Sequence, residues 1–180
     1  MRVIAGIARG HPLVAPRDRG TRPIADRVKE TLFAILGERV PDARVLDLYA
    51  GSGAIGIEAL SRGAAHATFV EQAPLALVAL RRNLERTRMA HLAEVRHLDV
   101  DRFLATPAEV PWDLVFLDPP YDVRAIVAPL RAVEPHLAHD AMVVVKHFWR
   151  TEVPEMTGLQ PVRQRRFGET MLSFLEARGR

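Results

Sequence analysis

Val45-Leu46-Asp47-Leu48-Tyr49-Ala50-Gly51-Ser52-Gly53-Ala54-Ile55-Gly56 decides how the rest of the chain is read. An apolar run carrying one acid breaks into a small glycine-rich turn. It then resumes with helical spacing through Ile55, Ile57, Ala59 and Leu60. The pattern predicts a buried strand, a tight loop of nucleoside or phosphate size, and a helix N-terminus.

Downstream the same alternation repeats. Strands are expected at 44–49, 66–71, 93–99, 112–118 and 142–145, with helices at 53–62, 74–88, 100–105 and 124–134. Pro129 should bend or split the last helix. Strands alternating with helices imply a parallel sheet covered on both faces. Residues 161–167 and 170–175, joined by Gly168-Glu169, read instead as an antiparallel hairpin that closes the sheet. Upstream, two short runs (2–8 and 12–15) flank Gly10-His11-Pro12 as a small hairpin. A helix then runs from Pro23 to Leu36, with Val28, Leu32, Ile35 and Leu36 on one face and Gly37 as its stop. Residues 1–180 thus read as one domain, a basic appendage (1–37) on an α/β core (38–180).

Bulk composition narrows the classes. The 180 residues, 48% apolar and 26% charged, match an ordinary globular protein. No stretch has the uninterrupted apolar length of a membrane helix, and Met1-Arg2-Val3-Ile4 opens no signal peptide. The absence of cysteine excludes disulfides and thiolate metal sites. A cytoplasmic monomer with no membrane partner is expected. Of the 25 basic residues only Lys29 and Lys146 are lysine, a bias that coding preference explains as readily as function. Residues 1–29 carry Arg2, Arg9, Arg17, Arg19, Arg22, Arg27 and Lys29 against Asp18 and Asp26. Such an arm suits a polyanion, with Arg9, Arg22 and Arg27 as candidate contacts, or simply a solvated surface.

Parallel α/β sheets bind ligands beyond the carboxyl ends of their strands. Asp47, Glu71, Asp99 and Asp118 fall at or near four successive strand ends. Any one of them reads equally well as a helix N-cap. Four along one rim would line a crevice for hydroxyls, amines and positive charge, all of which S-adenosylmethionine (SAM) carries. A rival reading exists, because Gly51-x-Gly53-x-x-Gly56 with Glu71 twenty residues on also fits the dinucleotide fingerprint. Asp47 argues against that reading, since a carboxylate ahead of the glycines repels pyrophosphate. Asp118-Pro119-Pro120-Tyr121 argues against it too, because hydride transfer has no use for such a tetrapeptide.

Two consecutive prolines at a strand end fix φ, remove two donors and leave carbonyls as acceptors. Asp118 and the Pro119 carbonyl can then grip the two hydrogens of a planar exocyclic amine such as guanine N2, while Tyr121 stacks on the base. The candidate catalytic set is therefore Asp118, Pro119, Pro120 and Tyr121, working mainly by positioning.

The chain resembles the RsmD-type family, which methylates guanine N2 in 16S ribosomal RNA, over nearly its whole length. Three blocks carry the likeness: Thr21-Arg22-Pro23 with Asp26-Arg27-Val28 and Leu32-Phe33; Val45 through Gly63; and Asp118 through Tyr121. The Phe167-Gly168-Glu169-Thr170 corner is similar as well. The resemblance implies a Rossmann-like Class I SAM methyltransferase fold, a mostly parallel seven-stranded sheet with an antiparallel C-terminal strand. It also implies ribosomal RNA or a small-subunit assembly particle as partner. By the same resemblance Asp47, Tyr49, Ala50, Gly51, Ser52 and Gly53 surround the methionine part of SAM, Glu71 holds the ribose hydroxyls, and Asp99 with Val100 contacts adenine. Two positions depart from the family pattern: Ile24 replaces a usual threonine, and Gln72 a usual acid or small polar residue. Adenine in nucleic acid, a protein glutamine, or a non-catalytic RNA-binding role are the alternatives. His136 and His139, spaced for one helix face, lack companions for a metal site.

Overall fold

The structure, a computed structural model, describes residues 1–16, 25–107, 109–119 and 124–178. Seven strands form one sheet: β1 (Arg44–Leu48), β2 (His66–Glu71), β3 (Ala93–His97), β4 (Trp112–Leu117), β5 (Leu137–Phe148), β6 (Leu159–Phe167) and β7 (Thr170–Ala177). Their order is β3-β2-β1-β4-β5-β7-β6. The first five strands pair in parallel and β7 runs antiparallel to both of its neighbours. The chain reverses direction across the sheet between β1, next to β2, and β4, so β1 and β4 flank the switch point where α/β sheets hold ligands.

Alternating burial splits the core between the two faces of the sheet. Val45, Phe69, Leu114, Phe116, Val144 and Phe174 face one way, with Val28, Leu32 and Phe33 of α1 (Asp26–Leu36), Ile57 and Leu60 of α2 (Ala54–Ser61), and Leu77 and Leu80 of α3 (Pro74–Arg86). Leu46, Val70, Val115 and Val143 face the other, under Val100 and Leu104 of α4 (Val100–Leu104) and Ile126 and Leu130 of α5 (Arg124–Val133). Helices therefore cover both faces, as the alternation predicts.

Several features differ from the sequence expectations, beginning with α1, which starts at Asp26 after an extended Ala25, later than expected. β3 ends at His97, and Asp99 lies beyond it as the N-cap of α4. β5 begins at Leu137, well before the apolar run at 142–145, and absorbs a register shift between Trp112 and Leu114 of β4. Pro129 sits inside an unbroken α5, and so does not split it. The leading segment forms a turn closed by one antiparallel bridge, Arg2 to Pro12, in place of paired strands. His136 lies in a short 3-10 turn and His139 in β5, so the two do not share a helix face. Among the described residues no helix is long and apolar enough to cross a membrane.

Two buried polar knots dock the leading segment. Glu58 of α2, with no exposed side-chain surface, accepts from Ile4 and Ala5 N–H (2.8 and 3.0 Å) and pairs with Lys29 Nζ (3.3 Å) and Arg62 Nε (2.9 Å). Lys29 Nζ also donates to the Arg2 carbonyl. An acid so enclosed is tolerated only because its oxygens are bonded to cations and amides. Asn83, also fully buried, donates through Nδ2 to the carbonyls of Val14 and Ser52 (both 2.9 Å) and accepts the Val14 N–H. The leading segment is thereby tied directly to the glycine loop.

Candidate active site

The loop after β1 owes its shape to positive φ at Tyr49, Gly51 and Gly53 (58°, 56° and 74°). Two glycines are required by space. A β-carbon on Gly53 would lie 2.2 Å from Leu80 Cδ1, and one on Gly56 would lie 2.3 Å from the Phe69 ring. Both residues press α2 onto the sheet and α3, which is the packing role of the later glycines in such loops. Gly51 differs, because a β-carbon there meets nothing closer than 4.0 Å. Its Cα faces open space, while its N–H is held by Glu71. Tyr49, without glycine's freedom, holds a left-handed backbone that costs of order 1–3 kcal/mol.

Asp47 and Glu71 flank this loop. Parallel pairing of β1 with β2 and β4 places Asp47 opposite both Phe69 and Phe116, so its side chain shares the face that α2 covers. Its carboxylate accepts the Gly56 N–H at 3.0 Å and has no cationic partner among the described residues. Burial, with the nearby charges of Asp118 and Glu71 adding to it, raises its pKa to about 8. Glu71 accepts from Gly51 N–H (2.8 Å) and Ala73 N–H (2.7 Å), which spreads its two oxygens across the loop and the start of α3. Asp99 accepts from Asp101 and Arg102 N–H at 2.9 and 3.3 Å, so it caps a helix while standing on the same rim. Val100, the first residue of α4, is buried beside it. Of the sequence's two readings for Asp99, the cap is the one visible here.

Asp118 follows β4, its N–H directed at the Leu48 carbonyl (3.5 Å). Its carboxylate is gripped by Lys146 Nζ, 2.8 Å from Oδ1 and 2.6 Å from Oδ2. Leu117 pairs with Val145, so the next residue on each strand stands side by side. Asp118 keeps 33% of its side-chain surface and Lys146 14%, which leaves the carboxylate reachable from the rim. Burial of the remainder raises the Asp118 pKa, and the Lys146 ammonium opposes that rise.

The structure thus brings Asp47, Tyr49 through Gly53, Glu71, Asp99, Val100, Asp118 and Pro119 to one edge of the sheet. Arg27 is exposed in the first turn of α1, next to the Asp26–Arg2 pair. Arg9 lies elsewhere: its turn packs on Ser61, where Ile7 N–H meets the Ser61 carbonyl (2.8 Å), at the opposite end of α2 from the glycine loop. Arg22, Pro120 and Tyr121 lie outside the described residues. Sequence reasoning missed Lys146 and Asn83 as site residues. Asn83 had a signal, being one amide among Ala76, Leu77, Ala79, Leu80 and Leu84 on the buried face of α3. The two lysines carried another: in a chain that otherwise uses arginine, each sits in an inward-facing pair with an acid.

The order of strands, the reversal at β1/β4 and the acid-lined glycine loop define a Rossmann-like fold of the methyltransferase class. The chain belongs to the family described as conserved hypothetical protein 95, which matches residues 1–176. It is 40% identical over 148 residues to the ribosomal RNA small subunit methyltransferase D of Escherichia coli K12, covering 81% of this chain and 74% of that one. Bacillus subtilis YlbH is 37% identical over 184 residues, 99% of this chain and 100% of its own. The solved structure of yhhF from Escherichia coli superposes with a TM-score of 0.90 at 34% identity, covering 100% of this chain and 99% of that one.

Asp47 carries a pH prediction. Its folded pKa, about 8, stands above the ordinary 3.8, so its contribution to stability is fully present below about pH 4 and is lost as pH rises toward 8. Asp47→Asn keeps an acceptor for the Gly56 N–H and removes the charge. Thermal melts of the ligand-free proteins should coincide near pH 4 and diverge by pH 9, the variant melting higher. Equal melting curves at pH 9 would refute the assignment.

Proposed function

We propose that this protein is a SAM-dependent methyltransferase that modifies the exocyclic N2 amine of a guanine in small-subunit ribosomal RNA. The observation that carries the reading is Asp118. A carboxylate, fixed by an ammonium, stands on the rim beside a buried acid and a glycine loop with open space at Gly51. The name of the 40% identical relative, a ribosomal RNA small subunit methyltransferase, supports the substrate class.

The residues present fit SAM. Asp47 is a buried acid with no described cation, and an α-ammonium arriving beside it would favour its carboxylate form, opposing the rise that burial causes. Gly51 leaves room beside its Cα for a ligand. In this reading the loop from Asp47 to Gly53 holds the methionine end, Glu71 the ribose hydroxyls, and Asp99 with Val100 the adenine. Bound SAM supplies an activated methyl group on a sulfonium. The protein's own work is then to orient the acceptor. Asp118 and the Pro119 carbonyl accept the two N–H bonds of the amine, whose lone pair is otherwise delocalised into the ring. Tyr121 stacks on the base, which has to leave its stack to enter. Asp118, or water at the open rim, takes the proton shed by the nitrogen. Arg27, with Arg9 and Arg22, contributes phosphate contacts.

Transfer of a tritiated methyl group from SAM to small-subunit particles and to naked ribosomal RNA, followed by mass spectrometric mapping, tests this. A single new N2-methylguanine is the expected product. Methyl incorporation into DNA or protein alone would sink the proposal.

A further inference from the structure

Apart from the leading arm and the catalytic rim, the free edge of the sheet carries a strongly charged surface. β6 is the last strand of the sheet, and residues 160–166 are all exposed. Arg163, Arg165 and Arg166 lie along it, with no acid anywhere between Leu159 and Phe167. Arg163 and Arg165 form no ion pair with a described residue. Opposite their neighbours on β7, Arg163 pairs with Phe174 and Arg165 with Leu172. Leu172 in turn pairs with Lys146 of β5. The rung that holds Asp118 and Lys146 therefore continues through Leu172 to Arg165, on one face of the sheet.

The rim end of this edge carries an aromatic ring. Trp149 follows β5 and is half-buried, its N–H bonded to the Glu169 carbonyl in the β6–β7 turn (2.9 Å). The guanidinium of Arg166 lies 3.8 Å from the ring centroid, and that of Arg150 lies 4.8 Å from it. Arg166 also donates through Nε to the Gly168 carbonyl at 2.8 Å, which fixes its place over the ring. Phe148, pairing with Thr170, puts this cluster at the same end of the sheet as Asp118. The acids nearby in sequence are Glu152, Glu155 and Glu169.

Charges on an edge strand also discourage strand-to-strand aggregation, and any charge of either sign serves that purpose. Arg163 and Arg165 share the face of Phe174 and Leu172, whereas Arg166 turns to the other face beside Trp149. Three arginines around one sheet edge, without an acid and ending at a tryptophan already dressed with two guanidiniums, form a more particular surface. Guanidinium groups meet phosphates bidentately, and aromatic rings accept unstacked bases. We propose that Trp149, Arg150, Arg163, Arg165 and Arg166 form an RNA-docking surface that holds the single-stranded segment flanking the target nucleotide. This rests on the methyltransferase reading for its substrate. The exposed Arg27 in the first turn of α1 and the β6 edge are then two separate cationic contacts for the RNA.

The test compares full-length wild type with Arg163→Ser/Arg165→Ser/Arg166→Ser, using a single-stranded ribosomal RNA fragment as probe. Removing three phosphate contacts should flatten the plot of log affinity against log salt by about 2, at roughly 0.7 per contact for a single strand. Between 50 and 200 mM salt the wild type then loses about 15-fold more affinity than the variant. KM for RNA rises, while kcat at saturating RNA and the affinity for SAM stay put. Arg163→Ser/Arg165→Ser, which leaves Arg166 on Gly168 and Trp149, guards against a folding defect and should flatten the slope by about 1.4. In a Trp112→Phe background, Trp149 emission reports the same surface, and RNA should change it with the same salt dependence. An unchanged slope in both variants, or emission indifferent to RNA, overturns the docking surface. So does a flattened slope for an acidic protein probe with none for RNA. If the wild type transfers no methyl group to RNA, the catalytic reading falls, and the slopes still decide the surface independently.

Discussion

Asp118→Ala should lower methyl transfer by about 10²–10³, the usual cost of removing one preorganised polar contact to a reacting group, and leave SAM affinity within about a factor of two. The separation of effects follows from the geometry. Asp118 stands on the rim beyond β4, whereas the contacts that fold the glycine loop come from Asp47, Glu71 and Asn83. None of these bonds involves Asp118. Asp118→Asn is the informative companion, because its amide oxygen still accepts one N–H while its charge is gone. It should retain measurable activity, well above the alanine variant. Calorimetry with SAM and single-turnover transfer to ribosomal RNA measure the two effects. Full activity in the alanine variant would remove Asp118 from the chemistry. A matched loss of SAM binding would make it a structural residue of the loop.

The parts of this site that were legible in the sequence are the ones whose physics is local. A strand carrying one acid, a turn needing positive φ, and a proline pair after an apolar run each declare themselves within a dozen residues. The β-strand alternation and the closing hairpin were readable for the same reason. What was not legible depends on register between distant strands. Lys146 is 28 residues from Asp118, and only the β4–β5 pairing places them side by side. Asn83 is 31 residues from Ser52, and Glu58 is 54 from Ile4. The start of β5 was hidden differently. His139 and Asp140 are exposed and polar, so no apolar period marks them, and they fall in the irregular stretch between Leu137 and Met142, the residues that pair with Trp112 and Leu114 of β4. Asp99 shows the limit of pattern: an acid at a strand end and an acid at a helix start are the same residue when the two lie next to each other.

Lys146→Met should move the acid limb of the pH–rate profile to higher pH, with transfer depressed near neutrality and recovering as the solution becomes alkaline. Asp118 has to be ionised to accept an amine N–H, and burial already raises its pKa. The groups facing it are the Lys146 ammonium from β5 and the Asp47 carboxyl from β1, with Glu71 beyond on β2. Only the ammonium favours the carboxylate, so deleting it raises the pKa further. Lys146→Arg keeps the charge and should keep the limb in place, although the planar fork fits this pair less compactly than an ammonium. Stability moves in the opposite sense. A raised folded pKa contributes stability that is present below the unfolded value and lost as pH rises through the folded one. Lys146→Met therefore falls further behind wild type in melting temperature at the same alkaline pH where its activity recovers. A lysine that merely braces the fold would lose activity and stability together. Opposite trends identify it as the residue that positions and ionises Asp118.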